Sequence, residues 1–559
     1  MRIRGLELLI FLLTLSIAAW GVNPQFWEHF SQEDLLKGTL DHVSLSPDGR
    51  LFLASDYSLV YDTGQPYIFS MVRDKAGNIY AGTGDEGKVF KIDAQGKGSL
   101  YFQSKELDIF ALALDSADTL YVATSPDGKV YRVAGPNQAT EFCNPESKYI
   151  WSMMFDNEGN LYVGTGANGT VFQVGKDGKK STFYTCSDNH VVSLALGNNG
   201  NILAGTSPGG LVVEITPAGK GFTLIDTPLE EVHSLTVDRF GTIYALVSSA
   251  KGEAAISTSP KPAKASSASG MTATVTIESI ITATAEKPRD TKGVSAPGGD
   301  KDSAGAKSAV YAITKDGSAE TIYSSNEQMV YDSVIRADGS LLISTGPKGR
   351  LFSIDSAKQV TVISDTPEED LTCLLADSDV IYAGGSNQGK VYKLLPQKAQ
   401  TGTFESSALD AKVVSSWGKI SWRVANPGGG DIEISTRTGN TDKADSSWSE
   451  WSSVYSGPGR QITSPRARYL QWRAVFKRGS ASAPGPSSDV LEKVQIAYLQ
   501  QNLRPQVTSI DALPYGVELQ KQASLALGGL SIVTQSTTPD GRSLNAPRWI
   551  KYSGSRGSR

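Results

Sequence analysis

Residues 150–186 read IWSMMFDNEGNLYVGTGANGTVFQVGKDGKKSTFYTC. Four short runs stand out, at 150–155, 161–165, 170–174 and 181–185. Each is β-branched or aromatic and is bounded by Gly, Asn or Asp, which is the pattern of strands joined by tight turns. Four such strands predict one antiparallel blade. A blade cannot bury both faces alone, so the rest of the chain has to supply others.

The second strand shows the repeat most clearly. Ile79-Tyr-Ala-Gly-Thr83, Leu120-Tyr-Val-Ala-Thr124, Leu161-Tyr-Val-Gly-Thr165 and Ile202-Leu-Ala-Gly-Thr206 begin 41 residues apart, and Ile243-Tyr-Ala-Leu-Val247 keeps that spacing. Leu341-Leu-Ile-Ser-Thr345 and Ile381-Tyr-Ala-Gly-Gly385 follow, 40 residues apart. Seven copies at this period predict an all-β fold with a seven-bladed β-propeller. Without a Trp-Asp ending, the repeat resembles the NHL, two-component-regulator and lyase-type propellers of bacteria.

Residues 58–400 are therefore read as the propeller, preceded by a lead-in at 22–57. The run Ser58-Leu-Val-Tyr-Asp62 has the character of a fourth strand, yet no blade precedes it. The last repeat, Leu371–Leu395, has three strands and lacks a fourth. The economical expectation is that Leu59–Tyr61 closes the last blade and removes an open sheet edge. The fifth repeat carries an excess of 57 residues, which places an insertion at 249–308. Its Ser, Ala, Thr, Lys, Gly and Pro composition buries too little apolar surface to offset chain entropy, so disorder is expected.

Beyond Leu395 the period stops. Alternating runs such as Trp417–Val424, Asp431–Arg437 and Tyr469–Val475 predict a C-terminal antiparallel β-sandwich over 401–500. This region resembles galactose-binding-like jelly rolls and fibronectin-like modules. Trp448-Ser-Glu-Trp-Ser452 also matches the Trp-Ser-x-Trp-Ser motif of cytokine receptors, which implies Trp rings stacked with Arg437, Arg468 or Arg473. Residues 501–559 read as a loop-like tail.

Residues 1–21 have the form of an export signal: Arg2 and Arg4, an apolar run at Leu8–Ala19, then small residues. The run is short for a span of about 20 residues, so no membrane span is expected after cleavage. An uncleaved anchor is the other reading. Export implies a periplasmic, cell-surface or extracellular location. A net charge of −5 gives no reason to expect a nucleic-acid partner. Three cysteines are too few for a disulfide framework, and all three are expected to be free.

In a propeller, the loop into each first strand and the loop between second and third strands share one face around the channel. Aligned repeats put Tyr67, Asp108, Tyr149, His190, Glu231, Met329 and Glu369 just before the first strands. Phe69, Phe110, Trp151, Val192, His233, Tyr331 and Leu371 come two positions later. Acids among aromatics suit sugars or cationic peptides. The expected binding residues are Tyr67, Asp108, Tyr149, Trp151, His190, Glu231 and Tyr331. The expected function is an exported, non-enzymatic binding propeller for a protein, peptide or carbohydrate ligand. The alternative is an enzyme: resemblance to lyase-type propellers implies a mouth histidine and carboxylate, here His190, Glu231 and His233, acting in proton transfer. Lactonase-type propellers hold a metal with Glu, Asn and Asp, and no repeated set of those residues occurs here. No metal and no cofactor are expected, and no Walker loop or Gly-x-Ser-x-Gly elbow is present.

Overall fold

The computed structural model describes residues 24–249, 306–425, 430–479 and 489–501, with the short paired strands Gln520–Lys521 and Ile532–Val533. The expected export signal at 1–21, nearly all of the insertion and most of the tail lie outside the described residues.

The repeat folds as a β-propeller. Six units are separate four-stranded antiparallel sheets, and five of them are continuous in sequence. The quoted stretch is one: Ile150–Phe155, Leu161–Thr165, Thr170–Val174 and Lys180–Thr185 pair in that order. Inner strands pack in cyclic order, and Leu371–Asp377 packs back on Ile68–Arg73.

The sixth separate sheet is discontinuous. Leu371–Asp377, Val380–Gly385 and Lys390–Lys398 take their fourth strand from Ser55–Asp62, with Val391 opposite Tyr61 and Tyr392 opposite Leu59. The orphan strand thus closes the ring, as the sequence predicts. Its ring contacts resemble those of an ordinary outer strand. A Cβ on Gly98 would come within 2.2 Å of the Tyr61 ring, and one on Gly221 within 2.4 Å of the Tyr184 ring.

The expectation of seven separate blades needs a correction. Residues 329–365 have the same four-strand order, but their outer strand, Val360–Asp365, does not end a sheet. It pairs with lead-in strands through Val362 and Leu45 and through Asp365 and Asp41. The pairing runs on into a 14-stranded sheet. The cause is local chemistry. Val362 and Ser364 are fully buried, whereas the equivalent Gly221–Asp226 is largely exposed. Arg350, buried against Asp365 (Nη2–Oδ2 3.0 Å), also donates to the Leu36 carbonyl, and Leu40 N–H donates to Asp365.

The strands from Thr401 to Gln500 are antiparallel, as their alternation implies. They form no sheet apart from the propeller's, however: Phe404 pairs with Leu40 and Leu491 with Leu51. Trp472, Phe404 and Phe476 form the centre of this core. The Trp-Ser-x-Trp-Ser expectation holds for two of its three arginines. Arg437 and Arg473 each lie 4.4 Å from the Trp451 ring centre. Arg468 instead grips Asp410 at 2.8 and 2.9 Å.

Blades are fastened to one another by a repeated bond. Ser70 Oγ donates to the Ile109 carbonyl, Ser152 to Val191 and Ser193 to Val232. At the ring closure the equivalent residue is Cys373, and it is the neighbouring Thr372 Oγ1 that donates to the Ile68 carbonyl. The equivalent position after Ser234 is Asp332, whose buried carboxylate accepts from Ser234 Oγ and from Leu374 N–H, both at 2.8 Å. All three cysteines are free and buried.

Candidate functional site

The mouth is built from the ends of the inner strands. Strand pairing fixes their register: Ile68 lies opposite Thr83, Ile150 opposite Thr165, Val330 opposite Thr345 and Leu371 opposite Gly385. Leu371 is therefore the counterpart of Ile68 and Ile150, fully buried between blades. In this last unit the mouth positions are Asp370 and Thr372, and the alignment that gave Glu369 and Leu371 was one residue off. The turn between first and second strands is one residue shorter in this unit, with Leu371 10 residues before Ile381 where Ile150 is 11 before Leu161, and side chains alternate faces along a strand. The threonines at the mouth ends of second strands cap the turns, as Thr165 Oγ1 does with the Thr170 carbonyl at 2.8 Å.

Three consecutive blades place aromatic rings in contact. Phe69 lies 4.8 Å from Phe110, and Phe110 lies 4.8 Å from Trp151. Tyr67 stacks on Phe69 at 5.6 Å, and Tyr149 on Trp151 at 5.0 Å. The predicted Tyr67, Tyr149 and Trp151 thus share one arc. Phe69 and Phe110, absent from the expected binding set, are the rings that join them. Their signal was the repeat position two residues into the first strand. Tyr67 is 41% exposed, so the arc meets solvent.

The arc ends on His190. Trp151 Nε1–H donates to His190 Nδ1 at 3.1 Å. An indole N–H only donates, so neutral His190 carries its proton on Nε2. The approach demands a glycine beside it, since a Cβ on Gly166 would sit 2.7 Å from Trp151 Nε1 and 2.8 Å from His190 Nδ1.

The other side of the mouth is polar. His233 Nδ1 lies 3.3 Å from Glu231 Oε1, and its ring meets Tyr331 edge-on at 5.9 Å. This is a charge contact, with no hydrogen bond between the two side chains. Burial lowers the His233 pKa, with the Glu231 charge opposing it. Burial also pushes the Tyr331 hydroxyl up to about 12, with Asp370 contributing. Across the ring, burial raises the Asp108 pKa, while a bond from Asp85 N–H opposes the shift.

Among the described residues, no group of three or more His, Cys, Asp or Glu is arranged to hold a metal. No described helix is long and apolar enough to cross a membrane. A cavity of about 650 Å3 lies between the lead-in helix Gln32–Leu36 and Tyr323, Arg350 and Phe352, and reaches Ser325–Gln328 of one loop leading into a first strand. It contains none of the expected site residues.

No family model matches the chain, and no curated protein matches it in sequence. Solved structures of propellers align with it in fold. Selenomethionine-substituted virginiamycin B lyase from Staphylococcus aureus aligns at 14% identity and a TM-score of 0.46, covering 61% of this chain and 99% of that one. The WD40 propeller domain of Doa1 aligns at 12% and 0.43, covering 61% and 98%. YCF48 bound to D1 peptide aligns at 11% and 0.42, covering 62% and 96%.

Proposed function

We propose that this chain is an exported binding propeller whose ligand sits on the mouth of the channel. In this reading the ring counts seven blades, with residues 329–365 as the blade fused to the lead-in. The strands at 401–500 serve as a sandwich-like buttress. The ligand is a peptide, a glycan or a segment of an envelope protein. The observation that carries the reading is the arc Phe69, Phe110 and Trp151. Rings in contact across three blades, with Tyr67 exposed at one end, offer a preformed stacking surface. Packing alone would favour similar residues at equivalent sites, yet these positions change from ring to Val192, His233 and Thr372 around the mouth.

The test is to screen the mature protein on glycan and peptide arrays and then remake the hit with Trp151→Ala. Affinity should fall about tenfold or more, since stacking and the lost ring area together are worth on the order of 1–3 kcal/mol. Unchanged affinity places the site elsewhere.

One observation favours a second reading, proton transfer. Burial favours the neutral form of His233 beside Glu231, and neutral His190, accepting from Trp151 at Nδ1, presents Nε2–H. A base and a donor on neighbouring blades suit abstraction of a proton next to a carbonyl that the donor polarises. Turnover of an array hit that His233→Gln abolishes, with binding retained, supports this reading over plain binding.

A further inference from the structure

The charge at the two ends of the propeller is unequal. The seven five-residue loops leading into the first strands are 63–67, 104–108, 145–149, 186–190, 227–231, 325–329 and 366–370. Together they hold ten acids and two lysines; the other loops of that face, between second and third strands, add three acids and one lysine, and the insertion at 249–307 adds six acids and eight basic residues. The turns at the other end, between first and second and between third and fourth strands, hold twelve acids and nine basic residues. The whole chain is only −5, so negative charge is concentrated at the mouth.

Several of these acids are held by neutral donors. Asp188 accepts from Gly209 N–H at 3.2 Å, Glu369 accepts from Asn387, and Asp370 accepts from Ser386 Oγ at 3.0 Å. Their charge is positioned but not cancelled. Two further oxygens in these loops are buried without a donor. They are Oε2 of Glu368, a residue 3% exposed, and Oε1 of Gln65 at the equivalent position of the next blade. Glu368 Oε1 is taken by Tyr392 at 3.1 Å, and Oε2 lies beside Gly385 at the mouth end of its strand. Burial raises the Glu368 pKa, so a cation brought near this carboxyl favours its charged form.

The rings in contact occupy the first three blades, with Glu106, Asp108 and Glu146 in the loops there, and the other seven loop acids, Glu231, Glu369 and Asp370 among them, lie on later units. A neutral glycan has no use for the charge, and an anionic polymer is repelled by it.

We propose that the ligand class is a short extended peptide segment carrying lysine or arginine next to an aromatic residue. This rests on the binding-propeller reading above. The aromatic side chain stacks on Phe110 and Trp151, and the cationic side chains reach the acids of the later units. The steps from Phe69 to Phe110 to Trp151 to His190 are 4.8, 4.8 and 5.8 Å. Four or five extended residues, at about 3.3 Å each, match that path. Arginine adds stacking of its own on the ring faces.

The experiment is fluorescence anisotropy with the mature protein and a labelled Lys-Trp-Lys-Leu-Lys-Ala peptide. Three companion peptides replace every Lys by Glu, every Lys by Gln, or Trp by Ala. The parent peptide should bind, weaken as salt rises, and lose at least tenfold in the Glu version and severalfold in the Ala version. Tyr67→Ala and Trp151→Ala should each weaken the parent severalfold, with circular dichroism unchanged. Tyr67 is exposed, so its variant keeps the test valid if Trp151→Ala does not fold. Equal binding of the Lys and Gln peptides, still sensitive to Trp151→Ala, overturns the cationic class and leaves the mouth as the site. Binding of the parent that ignores both protein variants and the peptide's Trp is adsorption to charge alone and overturns the proposal. No binding by any of the four peptides also overturns it. A glycan hit sensitive to Trp151→Ala would then keep the mouth reading intact.

Discussion

Deleting residues 24–62 should abolish the folded state. This segment contributes the closing strand Ser55–Asp62 and the lead-in strands that extend the sheet from Val362. Leu40, Val43, Leu45, Leu51 and Leu53 within it are 0–1% exposed. Each fully buried aliphatic side chain is worth about 1.5–3 kcal/mol, so together they contribute roughly 8–15 kcal/mol. That equals the whole stability of an ordinary domain, about 5–15 kcal/mol. Unfolded chains already bury part of their apolar surface, which puts the contribution at the lower end of that range. Single substitutions grade the claim. Leu45→Ala and Leu53→Ala should each cost about 2–5 kcal/mol through lost contact and a residual cavity. Leu59→Ala, in the closing strand but 51% exposed, should cost under about 1 kcal/mol. The assay is urea unfolding followed by circular dichroism, comparing midpoints. A deletion variant with the wild-type midpoint, or equal midpoints for Leu53→Ala and Leu59→Ala, would refute the reasoning.

Replacing residues 250–305 by a short Gly-containing turn should leave the urea midpoint close to wild type. Ser248 and Ser308 already face each other in register, and loop closure changes by only about 0.6 kcal/mol per doubling of length; loss of soluble folded protein on excision would count against this. His42 gives a pH dependence. Its bond to Asp41 at 2.7 Å, with a further bond to the Tyr57 carbonyl, raises its pKa above 6.5. A raised folded pKa means that its stabilisation is complete below the unfolded value, near 6.5, and is lost as pH rises through the folded value. The midpoint difference between wild type and His42→Asn should therefore shrink as pH climbs above 6.5. Asn suits the left-handed backbone there, φ 54°. His29, whose pKa burial lowers, acts in the opposite sense but is present in both proteins and drops out of the difference. A difference that grows with pH would contradict the assignment.

Much of the ring was legible because a propeller is quasi-repetitive. Spacings of 40 and 41 residues place every second strand, and the Asp-containing turns cap themselves locally: Asp156 Oδ1 accepts from Glu158 and Asn160 N–H. The closing strand was legible as well, since an orphan strand and a blade lacking one implied each other. The mouth was only partly legible. Repeat position found Tyr67, Tyr149, Trp151, His190, Glu231 and His233, but the register in the last unit was off by one at Leu371. Nothing in the linear order says that Phe69 and Phe110 bridge Tyr67 to Trp151, because that contact forms only when three blades twist around one axis.

The sequence by itself determined what local chemistry and period control: strand positions, turns, the capping threonines and the need for a fourth strand. Only the tertiary structure decided the contacts between units. It joined residues 329–365 through Val362 and Leu45 to the lead-in and onward to the C-terminal strands, where a repeat count alone implied one more separate sheet. It also turned Glu231 toward His233, Trp151 toward His190, and ten loop acids toward one end. Hydrogen-bond pairing at a sheet edge depends on which strand arrives there, and the field at a mouth depends on which loops converge. Both are sums over residues far apart in sequence, and neither follows from any local pattern.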